Sequence, residues 1–147
     1  MKICMLLKAN DFLNDNRVRK EAAALAAAGH EVTVLAKKSP RSLEREFHEG
    51  AEIIRIPSVF WDPRRLFLEK AVELKADAYH AHDLYTLDIA VVAASRCSAY
   101  AVYDSHELWT SLLKHYWGIR YMRRLFYWMR ERFLIGKADA VITVSDS

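Results

Sequence analysis

The sequence predicts an α/β domain on a doubly wound, mainly parallel sheet of about six strands. Three observations carry this. Short apolar or β-branched runs alternate with stretches of helical period along the chain. The first strand–helix–strand unit closes by residue 36, a length that suits a parallel pair. The 147 residues, 52% apolar and 28% charged, are enough for one domain with a full core.

Each element has its own reason. Residues 2–7 are continuously apolar, as in a strand buried on both faces. Asp15 or Asn16 is placed to cap a helix whose Val18, Ala22, Leu25 and Ala26 share a face. Gly29 stands where that helix would end in the left-handed conformation. Residues 31–36 form the β-branched second strand, and 37–50 read as a polar loop. Ala51 to Ile56 is a third strand closed by Pro57, and Pro63 opens a helix to about Leu74. Ala78 to Ala81 is a short strand, Tyr85 to Arg96 a helix, and Ala99 to Tyr103 a fifth strand. A long helix near 110–135 ends at Gly136. Ala138 to Val144 is the sixth strand, and a further helix is expected to begin at Ser145.

Several chemistries are excluded by what is missing. The four glycines, at 29, 50, 118 and 136, make no GxGxxG motif and no P-loop. No serine sits in a GxSxG elbow. Cys4 and Cys97 are isolated and read as reduced thiols, as in a cytoplasmic protein. The start Met1–Leu7 is too short for a signal peptide, and no run reaches the ~18 residues of a membrane span.

In doubly wound sheets, ligands bind outside the carboxyl ends of the strands. The candidates there are Asn10 and Asp15 after the first strand, Ser58, His82 and Asp83, Asp104 to Glu107, and Ser145. The cluster His80, His82, Asp83, Asp104, His106, Glu107 has three readings. It is a polar ligand site with groups for hydrogen bonding and proton transfer, a set of helix caps, or a metal site. For the metal reading, strand alternation puts His80 and His82 on one face and Asp83 on the other, and no further His/Asp set completes the shell.

The segments Asn14–Ala22 and Leu25–Leu35 resemble the opening of a family 4 glycosyltransferase. Ala76–Asp83, Tyr103–Leu108 and Ala138–Ser145 resemble later motifs of that family, in order and across nearly the whole chain. The resemblance implies a GT-B architecture, two Rossmann-like domains facing across a cleft. Residues 1–147 would be the N-terminal, acceptor-binding domain, and a C-terminal domain outside this chain would hold the nucleoside diphosphate sugar. It implies a retaining transferase that needs no cofactor and no metal, acting on a glycan or lipid-linked acceptor. His106 matches the histidine that contacts the transferred sugar, with Asp104 and Glu107 as neighbours. His82 and Asp83 would line the acceptor side. Arg17, on the first turns of the first helix, either belongs to a solvated face or meets phosphate or acceptor. Where relatives carry adjacent glycines, this chain has Lys8-Ala9-Asn10-Asp11-Phe12, so contact with the diphosphate falls to the helix N-terminus that follows.

The rival functions are a metal-dependent hydrolase on His80, His82 and Asp83, and a non-catalytic binding domain. A second constellation lies at 114–137, with seven Lys/Arg against Glu131 alone in a chain of net charge +3. On a helical wheel Trp117, Tyr121, Met122, Leu125, Phe126, Trp128, Met129 and Phe133 fill one half. Arg120, Arg123, Arg124 and Arg130 fill the other, with Tyr127 among them. The ordinary expectation is that the apolar half packs on the sheet. The alternative is peripheral contact with anionic lipid. Nucleic acid is not an expected partner, since one basic helix without a recognition motif is weak support.

Overall fold

The computed structural model describes residues 1–8, 12–57, 63–105 and 119–143. Seven strands form one sheet: β1 Lys2–Leu7, β2 Glu31–Lys37, β3 Arg45–His48, β4 Ala51–Ile56, β5 Ala78–Ala81, β6 Tyr100–Ser105 and β7 Ala140–Thr143. Four helices connect them: α1 Asn16–Ala27, α2 Pro63–Leu74, α3 Leu84–Cys97 and α4 Ile119–Ile135. The strand order is β3-β4-β2-β1-β5-β6-β7, and every neighbouring pair is parallel except β3 with β4. This is the expected Rossmann-like, doubly wound α/β class, with one strand more than predicted.

Period-2 alternation divides the core between two faces. Met5 and Leu7 face α1, together with Val34, Ile53, Val18 and Ala22. Cys4 and Leu6 face the other way, into a cluster with Phe67 of α2 and Leu87 and Ala90 of α3. The α1 helix starts as predicted, with an Asp15 side-chain oxygen accepting from the Val18 N–H at 3.2 Å.

The predicted polar loop at 37–50 is wrong in part, because it contains β3. This strand was illegible because its residues are polar and half exposed, with Phe47 turned to solvent. A neighbouring strand holds it in place. Arg55 on β4 is fully buried, ion-paired to Glu46 and donating to the Leu43 carbonyl at 3.0 Å. A buried guanidinium needs such partners, so β3 and the chain before it must fold back to supply them.

An identical device locks two strands at their amino ends. Asp77 accepts from the Lys2 N–H at 2.7 Å through its side chain and donates its own N–H to the Lys2 carbonyl at 2.9 Å. Asp139 does the same to Ala101, at 2.8 Å in both directions. Each aspartate lies in a Lys-Ala-Asp-Ala sequence, at 75–78 and 137–140.

Gly29 ends α1 in the left-handed region as predicted (φ 86°), and Gly50 turns β3 into β4 at φ 84°. A Cβ on Gly50 would lie 3.0 Å from the Ala26 Cβ, whereas one on Gly136 would meet nothing within 4 Å. Gly50→Ala therefore adds a left-handed penalty to a close contact. Chemical denaturation should show a loss of about 1–2 kcal/mol, with Gly136→Ala as a near-neutral control. Equal stabilities would show that this turn is not constrained.

Candidate functional site

The chain leaves β1 toward β2 and β4, then crosses back through α2 to β5 on the opposite side of β1. The crevice outside the carboxyl ends of β1 and β5 is therefore a topological switch point, where such sheets bind ligands. Register decides which side chains gather there. Met5 pairs with His80, and His80 with Val102, so His80, Val102 and Asp104 point to the same face as Met5. That is the α1 face. His82 continues the line, its N–H donating to the Leu6 carbonyl at 3.3 Å.

The result is a compact cluster. His80, His82 and Asp104 are buried at 7%, 1% and 2% exposure. The His82 Nδ1 lies 3.6 Å from Glu21 Oε2 and 3.7 Å from Asp104 Oδ2. The two imidazoles lie with centroids 4.2 Å apart, tilted by 39°. Burial, then the neighbouring His82, pushes His80 down to about 3, so its imidazole is neutral. Burial raises Glu21, against the opposing pull of His82, while Asp104 adds to the rise and Arg17 opposes it.

The predicted site residues part company here. His82 and Asp104 are brought together. Asp83 is not; it lies beyond β5 as the N-cap of α3, accepting from the Thr86 N–H at 2.9 Å. Its assignment to one face of a strand is corrected by that capping bond. Burial raises its carboxyl, while the hydrogen bonds of the cap oppose the rise. Asp15 is likewise engaged as the cap of α1. Arg17 is exposed on the first turn of α1. Asn10, His106, Glu107, Ser145 and Ser58 lie outside the described residues.

Glu21 is the residue that sequence reasoning missed. It sits beside the buried stripe of α1, one turn after Val18 and one before Leu25. A carboxylate flanking an apolar stripe was the available signal. With Glu21 and Asp104 present, the His pair does have a completing set, contrary to the expectation from sequence. Each of the four residues offers one ligand atom, and these lie within 4.8 Å of one another, close enough to hold an ion.

The glycosyl transferase 4-like domain family matches residues 15–147. The chain belongs to that family. No curated protein matches it. Among solved structures, this glycosyl transferase 4-like domain is similar to sucrose-phosphate synthase from Thermosynechococcus elongatus. The TM-score is 0.75 at 18% identity, over 98% of this chain and 42% of that one. A second chain of that synthase aligns with TM-score 0.62 and 22% identity, over 97% of this chain and 77% of its own length. MurG of Acinetobacter baumannii aligns with TM-score 0.51 and 15% identity, over 98% of this chain and 41% of that one. The domain thus spans about two fifths of the longer structures it matches. The fold is one half of the GT-B architecture. These matches give no support to a hydrolase or to a non-catalytic role.

A neutral buried His80 has a consequence for acid stability. The unfolded chain binds a proton at this residue below 6.5, but the folded chain does so only near 3. Stability from His80 is thus present above 6.5 and is lost as pH falls toward 3. In protein freed of divalent ions, thermal unfolding midpoints should fall across that window. His80→Leu should flatten the slope there, and parallel slopes would contradict the assignment.

Proposed function

We propose that residues 1–147 form the N-terminal, acceptor-side domain of a retaining glycosyltransferase. It moves a sugar from a nucleoside diphosphate sugar, held by a second domain, to an acceptor hydroxyl in glycan or glycolipid synthesis. The observation that carries this reading is the convergence of Glu21, His80, His82 and Asp104 at the sheet's switch point in a member of this family.

The chemistry asks for positioning and for stabilisation of the leaving diphosphate, with little covalent work by the protein. Asp104, buried against His82, anchors the end of β6. His106 follows two residues later and takes the contact with the transferred sugar, with Glu107 beside it. Asp104 is then a positioning residue, and His82 borders the acceptor.

In the enzyme carrying both domains, His106→Ala should lower kcat by about 10²–10³-fold, the scale of one lost transition-state donor. Asp104→Asn should lower kcat less. Unchanged turnover in His106→Ala removes that residue from the mechanism. Residues 1–147 alone, given a panel of sugar nucleotides and acceptors, should yield no robust transfer; robust transfer would sink the two-domain reading.

The acceptor's lipid character draws on α4. The helix turns Tyr127, Arg130, Glu131 and Leu134 inward. Leu134 joins the core, Tyr127 packs against it, the Tyr103 hydroxyl donates to Glu131 at 2.6 Å, and Arg130 reaches Asp88 of α3 at 2.8 Å. Met122, Phe126, Met129 and Phe133 point outward, each at least 50% exposed. For these four residues this corrects the expectation that the apolar half packs on the sheet; Leu125 and Trp128 are half-buried, and the side chains of Trp117 and Tyr121 lie outside the described ones. Two polar bonds and a narrow seam dock the described part of the helix, which leaves Met122, Phe126, Met129 and Phe133 outside. Arg132 lies over Trp128 and Lys137 over Phe133, so cations flank the stripe. The side chains of Arg120, Arg123 and Arg124 lie outside the described ones. No described helix is long and apolar enough to cross a membrane.

An apolar stripe flanked by cations suits the headgroup boundary of an anionic membrane, where the domain would meet a lipid-linked acceptor. Residues 1–147 should float with vesicles containing anionic lipid and less with neutral ones. Replacing Phe126 and Phe133 by Ser should abolish flotation, and absence from both vesicle types would refute the membrane contact.

A further inference from the structure

We propose that Glu21, His80, His82 and Asp104 bind one divalent transition-metal ion, Zn²⁺ or a similar first-row cation, which ties α1 to the carboxyl ends of β5 and β6. The inference stands apart from the transferase reading, since metal uptake is measured with no sugar present.

The donor set is two imidazoles and two carboxylates, which suits Zn²⁺ and related ions. Around a tetrahedral ion at about 2.1 Å, ligand atoms lie about 3.4 Å apart. The cluster nearly meets that spacing. Glu21 and Asp104 oxygens already lie 3.6 and 3.7 Å from the His82 Nδ1, and all four ligand atoms fall within 4.8 Å of one another. Bringing the widest pair from 4.8 Å to that spacing takes about 1.4 Å.

A second observation is independent of this spacing. His80 is 7% exposed, yet its Nε2 makes no hydrogen bond among the described residues. Buried imidazoles are ordinarily satisfied at both nitrogens, and a metal ion is one partner able to take that place. Three elements distant in sequence contribute ligands, so the ion would cross-link α1 to two strands beside the crevice. On the transferase reading, its role is to position the edge of the acceptor pocket, and the transfer step needs nothing from it.

Residues 1–147 are to be stripped with chelator and titrated with Zn²⁺ by calorimetry, and with Co²⁺ by visible absorption. One Zn²⁺ per chain is expected, together with a tetrahedral Co²⁺ band and an unfolding midpoint that rises with Zn²⁺ concentration. Glu21→Gln should weaken Zn²⁺ by at least about tenfold, and His80→Gln should remove the Co²⁺ band. His48→Gln, outside the cluster, should leave both intact. No stoichiometric uptake, or uptake that survives both Glu21→Gln and His80→Gln, overturns the site. Should circular dichroism show His80→Gln unfolded, Glu21→Gln on its half-exposed helix position decides the matter.

Discussion

The structure hangs on β1, a strand that touches water along neither edge. It pairs in parallel with β2 on one side and β5 on the other, and Met5 and Leu6 are wholly buried on its opposite faces. Each such side chain stabilises the fold by about 1.5–3 kcal/mol through burial. Parallel neighbours on both sides force the chain to leave β1 in one direction and return in the other. That reversal creates the crevice, and the register it imposes brings residues from α1, β5 and β6 to one point.

The buried polar groups fall into two kinds. Arg55 is enclosed but answered, by Glu46 and by a backbone carbonyl. Asp88 on α3 is answered by Arg64 of α2 at 2.6 Å and by Arg130 of α4 at 2.8 Å, so one carboxylate joins three helices on one face. These are cross-links that hold the domain together. The histidine cluster differs in what surrounds it: among the described residues the buried His80 Nε2 makes no hydrogen bond, and three other groups able to ligate an ion lie beside it. A buried nitrogen of this kind, set among three other groups able to ligate an ion, marks a place where a ligand can bind.

Much of the fold was legible because the strands buried on both faces announce themselves. Residues 3–7 read as an unbroken apolar run within β1, and 51–56, with three isoleucines before Pro57, folds as β4. Asp15 and Gly29 bracket α1 where cap chemistry says they should. What the chain hid was whatever depends on a partner. The strand β3 exists because Arg55 needs Glu46, which no local pattern in 45–48 reveals. The helix α4 has Met122, Phe126, Met129 and Phe133 outside, because docking is decided by Glu131 and Arg130 meeting Tyr103 and Asp88. Half of the candidate site was readable as polar strand ends at His82 and Asp104. Glu21 was not, since only the crossing of α1 over the sheet carries it there.

The paired aspartates, Asp77 and Asp139, bear on how such a domain can change over time. Each grips both the N–H and the carbonyl of the adjoining strand's residue at the amino end of the sheet. Alignment of β5 against β1, and of β7 against β6, is thereby settled at the end of the sheet opposite the crevice. The loops at the carboxyl end are relieved of that duty. They are free to drift in length and composition, so the scaffold can acquire new ligands without its strands sliding out of step.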